Sequence, residues 1–398
     1  MPSKRSLKTA SGAHSLANGT FGLPAGRRMD VLRPAVPTIT KTGMPCLTIP
    51  RMNAPDERGA TRLAWARAAL GDAMLALEPA SADASARSYW RAQHDGQSWI
   101  VMDSPPAQED PRPWLAIGER LAAAGLHVPA VRAADLERGF LLIEDLGARL
   151  YLTELDEANA DRLYGAALDA LLRMQTGVAS DDLPRFDHAL LARGLETMPE
   201  WFLQRHLGHT PDRAERVVLE TAFDLIIRNA LEQPRCFVHR DYHSRNLLVV
   251  DQDRADPRAD RLASPGILDF QGALDGPITY DLASLLRDAY IAWPRARVDG
   301  WVESYRQRLL DAGMIDAGID RAGFRRWFDL TGLHRHVRVL GQFYRLWYRD
   351  GKPGYLKDVP QVYHYVIEVA HAYPELAEFA ALLERHAQGR ALDMAVTA

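Results

Sequence analysis

The chain has 398 residues, 47% hydrophobic and 25% charged, enough for two lobes and a sizeable core. Its formal net charge of −4 offers no bulk attraction to nucleic acid or to an anionic membrane. Two cysteines, Cys46 and Cys236, exclude a disulfide framework and fit a reducing cytoplasm, and no apolar run approaches the roughly 20 residues that span a bilayer.

Residues 1–51 set eight Lys and Arg against one acid, Asp30, in a Ser-, Thr-, Gly- and Pro-rich background without the apolar centre of a secretory signal. They read as a disordered basic extension, or as residues upstream of a true start near Met52; a targeting or interaction arm is the alternative. From Gly59, an apolar stripe of Leu63, Ala66, Ala69 and Leu70 predicts a helix ended by Gly71. Met74–Leu77, Ser88–Ala92 and Ser98–Met102 read as strands. A polar segment, residues 79–86, links the first two, and Asp95-Gly96 turns the last two into a hairpin. Pro111 to Ala124 reads as a helix, followed by a strand pair at Val128–Ala133 and Phe140–Ile143. The expectation is an α+β chain: a small antiparallel-sheet lobe over 52–146, a break at Glu144-Asp145-Leu146-Gly147, and a mostly helical lobe over 147–398. In the second part Leu163, Ala167, Leu171 and Met174 recur at helical spacing.

One stretch interrupts the helices. Val238 to Val249 and Ile267 to Phe270 are short apolar runs around polar residues, predicting strands that deliver a polar loop to one place. Asp241 is the right type for a base, and Asn246 and Asp269 are oxygen ligands for a hard cation such as magnesium. Phosphoryl transfer needs that set: a metal for the phosphates, an aimed acceptor hydroxyl and a group to take its proton. Any one of these residues alone is a turn or cap residue. Together, His-x-Asp-x-x-x-x-Asn with an Asp 23 residues beyond the Asn is a specific pattern. His239 reads as a backbone brace, with direct proton transfer as the alternative. His239, Asp241 and His243 alternate as zinc ligands do, but no HxxxH or paired Cys completes a site, and His334 and His336 point to opposite sides of a helix.

His239-Arg240-Asp241-Tyr242-His243-Ser244-Arg245-Asn246 with Ile267-Leu268-Asp269-Phe270-Gln271 resembles the aminoglycoside phosphotransferase family, relatives of the protein kinases. The resemblance, over roughly residues 59–360, implies a bilobal protein-kinase-like fold, ATP and Mg2+. It makes Asp241 the catalytic base, Asn246 and Asp269 the magnesium ligands, and Asp281 the helix-start acid that ties down the catalytic loop. Ile143-Glu144-Asp145-Leu146 matches the interlobe hinge, where the backbone at Glu144 and Leu146 meets adenine. The run from Asp269 to Asp288, with Ile100 to Pro106 and Arg345-Leu346-Trp347, is similar to the bacterial cell-wall amino-sugar kinases. These phosphorylate the anomeric hydroxyl of N-acetylmuramate and N-acetylglucosamine in peptidoglycan recycling.

Two departures stand against the wider kinase pattern. Residues 79–86 contain no glycine, leaving Ser81, Ser85 and loop amides for the phosphates. Val101-Met102-Asp103 stands where a Lys or Arg belongs, so Arg87 or Arg91 is the candidate cation. On the sugar side, His243, Gln271, Asp275, Arg287 and Trp347 are candidates; Trp347 also reads as core, with Phe343 and Leu346 at helical spacing. The implied partners are a small-molecule sugar and, through the product, a sugar-1-phosphate uridylyltransferase, with no nucleic acid and no membrane. A kinase of the same fold for an aminoglycoside, choline or homoserine is the alternative, and a non-catalytic nucleotide-binding pseudokinase the third reading.

Overall fold

The structure is a computed structural model, and it describes residues 56–82, 87–250 and 264–394. The expectation for residues 1–51 lies outside them.

Helix α1 (Glu57–Leu70) starts where Asp56 accepts the Gly59 N–H and ends on Gly71 at φ 72°, a left-handed conformation that costs glycine little. Five strands follow: β1 (Glu78–Ala82), β2 (Ser88–His94), β3 (Gln97–Asp103), β4 (Val131–Asp135) and β5 (Phe140–Glu144), with helix α2 (Arg112–Ala123) between β3 and β4. They form one antiparallel sheet in the order β1-β2-β3-β5-β4. The β2–β3 hairpin turns on Asp95 (φ 51°) and Gly96 (φ 74°), two positive φ values in succession, as an Asp-Gly pair predicts. The first strand corrects the sequence reading. Met74–Leu77 is not in a strand and Met74 is exposed, whereas the segment read as a linker begins with β1. Pairing with β2 supplies β1 with its hydrogen bonds, and Pro79 is tolerated because β1 is the sheet edge.

After Glu144 the chain is mostly helical: α3 (Tyr151–Glu154), α4 (Ala160–Gly177), α5 (His188–Leu195), a π-helical turn at Pro199–His206, and α6 (Arg213–Leu231). Then come α7 (Tyr280–Leu286), α8 (Arg295–Asp311), α9 (Arg321–Tyr348), α10 (Val359–Ala372) and α11 (Ala377–Ala387). Between α6 and α7 lie two small ladders: β6 (Arg235–Val238) pairs with β9 (Leu274–Pro277), and β7 (Leu247–Leu248) with β8 (Gly266–Ile267). Helix α9 crosses the middle of this helical part and is buried along most of its length. One core cluster runs from Met102 and Ile143 of the sheet through Tyr242 and Phe270 to α4, α7 and α8. The two small ladders are thereby packed between sheet and helices, which holds the loops at their ends in place.

Candidate active site

Strand β6 runs into the loop His239–Asn246, and β8 ends one residue before Leu268-Asp269. The β7–β8 ladder joins the two, and the Leu268 N–H donates to the Asn246 carbonyl at 2.9 Å. Asp241, Asn246 and Asp269 are therefore brought to one place by backbone pairing. The loop is held by one acid of α7 and one just past its end. Asp281 accepts the N–H groups of His239 (2.6 Å) and Arg240 (2.9 Å). Asp288, just past the end of α7, accepts the Ser244 N–H (2.9 Å) and hydroxyl (2.5 Å). Tyr242 donates its hydroxyl to the Ala167 carbonyl of α4 at 2.8 Å. Arg240 (φ 81°) and Asp269 (φ 61°) adopt the left-handed region without being glycine, a costly conformation that this bracing sustains.

The donor set fits a hard cation. Asn246 spends its Nδ2 on the Asp241 carbonyl (2.9 Å), which turns the amide oxygen away from that bond. The Asp269 side chain remains 39% exposed at the rim and receives the Gln271 amide at 2.7 Å and Arg87 Nη2 at 3.3 Å. An amide oxygen and a carboxylate are the ligand types magnesium takes alongside phosphates.

The two arginines left open by the sequence are separated here. Arg87 reaches Asp269 and also pairs with Glu109 at 3.0 Å. Arg91 instead bonds Asp145 at 2.6 Å, and Ser98 joins the same carboxylate at 2.5 Å. Asp103, where a kinase carries its cation, is buried and held by Arg58 (2.5 Å) and Arg62 (2.8 Å) of α1. The acid fastens α1 to the sheet. Removing it strands the buried Arg62, so Asp103→Ala is expected to destabilise by about 3 kcal/mol or more while leaving the KM for ATP unchanged, read by denaturant unfolding and steady-state kinetics.

Residues 76–324 match the model of the phosphotransferase enzyme family. The chain belongs to that family. It is 45% identical over 320 residues to a Pseudomonas putida protein named N-acetylmuramate/N-acetylglucosamine kinase, covering 80% of this chain and 90% of that one. A Neisseria meningitidis protein of the same name is 35% identical over 325 residues, covering 80% of this chain and 93% of that one. Among solved structures, an ADP-bound aminoglycoside phosphotransferase superposes with a TM-score of 0.51 at 16% identity, over 78% of this chain and 98% of that one. The expected bilobal kinase-like fold is thus shown.

In this phosphotransferase, positive charge crowds Asp241. Burial by itself would push the Asp241 carboxyl up, but Arg338, then His243, Arg335 and Arg240, hold it below the usual carboxylate range. Asp281 goes the other way: burial and the charge of Asp241 raise it to about 7 against its two N–H donors. His239 is fully buried, and burial lowers it to about 4, so it stands neutral, edge-on to the Tyr242 ring at 5.6 Å. His243, also depressed by burial, has a buried Nδ1 without a hydrogen-bond partner and meets Tyr290 edge-on. Because a depressed pKa keeps Asp241 ionised to lower pH, removing a cation must raise it. Arg338→Met is expected to move the acid limb of the kcat/KM profile to higher pH, measured against wild type across the acid range.

The remaining predicted residues scatter. Gln271 sits on Asp269. Asp275 lies in β9 with Ser180 (3.1 Å) and Arg235 (3.4 Å) on its carboxylate, partners that brace the β6–β9 ladder. Arg287 pairs with Glu368 (2.7 Å) and covers the Tyr365 ring, beside a cavity of about 380 Å³ that Trp293, Arg295, Gln361 and His364 also line. Trp347 packs half-buried against the helical core. Glu144 ends β5 and takes His127 at 3.2 Å, while Leu146 packs on Leu248 and Val250. Ser85 and the Ser81 side chain lie outside the described residues. Sequence reasoning missed Asp288, Arg335 and Arg338. The last two lie three residues apart on α9, a spacing that puts them on one face, and only the packing of α9 reveals which loop that face meets.

Proposed function

We propose that this chain transfers the γ-phosphoryl group of ATP to the anomeric hydroxyl of N-acetylmuramate or N-acetylglucosamine. The observation that carries the chemistry is the braced triad of Asp241, Asn246 and Asp269, held by the Asp281 carboxylate, the Asn246 amide and the β7–β8 ladder. The choice of acceptor rests on relatives of that name that match this chain over nine-tenths of their length.

Asp241, ionised and near the acceptor, takes the hydroxyl proton. Asn246 and Asp269 are the proposed magnesium ligands; the ion, when bound, neutralises charge on the phosphates. Arg87 supplies the cation that the strand lacks, and Gln271 orients Asp269. The lobe over 52–146 carries the nucleotide, with the backbone at Glu144 and Leu146 against adenine. Asp281, Asp288 and His239 position the loop. Among the described residues no helix is long and apolar enough to cross a membrane. Dependence on ATP fits work in the cytoplasm, and a sugar 1-phosphate product is the substrate class of a uridylyltransferase.

For an anionic acceptor the available cation is Arg335 rather than Arg287. Arg335 is buried with Nε and Nη1 unpartnered, and its charge acts on both Asp241 and His243. An unpaired buried guanidinium is costly and suits a ligand carboxylate. Arg335→Met is expected to lower kcat/KM for N-acetylmuramate about tenfold more than for N-acetylglucosamine, which lacks the carboxylate. Comparing two sugars on one protein cancels any folding loss. The function itself is tested by assaying transfer from ATP, with magnesium, to both amino sugars and an aminoglycoside in parallel. Folded protein inactive on both sugars would refute the reading.

A further inference from the structure

Away from the catalytic loop, three metal-competent side chains converge from three segments. His209 sits in the turn before α6, Glu215 in the first turn of α6, and His386 in the last turn of α11. Their ligating atoms all lie within 4.8 Å of one another. His209 Nε2 stands 2.7 Å from one Glu215 oxygen, and His386 Nε2 stands 2.9 Å from the other. The two imidazoles are stacked, with centroids 3.6 Å apart and planes 15° from parallel. Both therefore present the same ring nitrogen to one carboxylate.

From this geometry we infer that His209, Glu215 and His386 bind one divalent transition-metal ion, of which zinc is the type. Three observations carry the inference. The carboxylate is preorganised, because Glu215 is the return arm of a capping box and accepts the Asp212 N–H at 3.1 Å. Tetrahedral zinc at its usual bond lengths separates its ligand atoms by ~3.3 Å, so the two N···O pairs, now hydrogen bonds of 2.7 and 2.9 Å, need open only slightly to admit the ion. The three side chains are 26%, 14% and 19% exposed, sheltered yet open enough for solvent to supply a fourth ligand. Two nitrogen ligands favour zinc, cobalt or nickel over magnesium or calcium. Arg385, at 3.8 Å from Glu215, is a cation that opposes binding. The ion would fasten the C-terminal helix to the start of α6, so its effect is on stability rather than on transfer.

The test is calorimetric titration of Zn2+ into the full chain in excess magnesium, which occupies the catalytic carboxylates. One tight site and a raised melting temperature are expected in wild type. His386→Gln and His209→Gln should each weaken it by more than about 100-fold without changing phosphoryl transfer in zinc-free buffer. Co2+ added to wild type should give the visible absorption of a tetrahedral site, a readout independent of how the variants fold. No tight zinc in wild type, equal zinc binding in wild type and both variants, or an octahedral cobalt spectrum would overturn the site.

Discussion

Asp241→Asn is expected to lower kcat by about 10³-fold or more while nucleotide still binds. The substitution keeps the shape of the side chain and removes the proton acceptor. The backbone at this point does not depend on the carboxylate: Asp281 holds the two preceding N–H groups, and Asn246 holds the Asp241 carbonyl. The loop should therefore keep its form, and loss should appear in kcat rather than in the dissociation constant for ATP, measured by fluorescence or calorimetry. If nucleotide binding collapses as well, Asp241 is structural. If kcat persists, another group takes the proton, with His243 the nearest candidate by its unpartnered Nδ1. A pseudokinase would lose nothing by the change.

The second large effect is a contrast between two arginines four residues apart. Arg87→Met is expected to lower kcat/KM for ATP by about 10²-fold, the scale of removing one charge from a phosphate clamp. Arg91→Met should leave kinetics near wild type and lower stability instead, because Arg91 is fixed to Asp145, just past the end of β5. Equal kinetic effects from the two would refute the assignment, and so would a kinetic loss confined to Arg91→Met. The contrast has a simple origin. Along extended chain, four residues cover about 13 Å, so Arg87, just before β2, and Arg91 within it reach different partners.

The sugar side is the less concentrated part of the site. Of the residues predicted for it, Gln271 bonds Asp269, Asp275 braces a ladder, Arg287 pairs with Glu368 and Trp347 packs on the core. Their engagement is typical of side chains that a fold uses first to support its own loops. The selectivity experiment on Arg335 and the parallel sugar assay address that side directly.

By itself, the sequence determined what is local. The Asp95-Gly96 hairpin, the capped and glycine-ended α1, and the spacing of Asp241, Asn246 and Asp269 follow from backbone preference and chemistry within a few residues of each other. The first strand was misplaced because Glu78 to Ala82 has little intrinsic preference for a strand; its partner β2 decides it. Only the tertiary structure decided which of Arg87 and Arg91 meets Asp269, that Asp103 pairs with arginines of α1, and that Asp288, Arg335 and Arg338 act on the loop His239–Asn246. Those are pairings across 41 to 182 positions, and a charge shows its sign in the sequence but not its partner. The partner is set by which elements pack, and packing is driven by burial of the apolar faces between them.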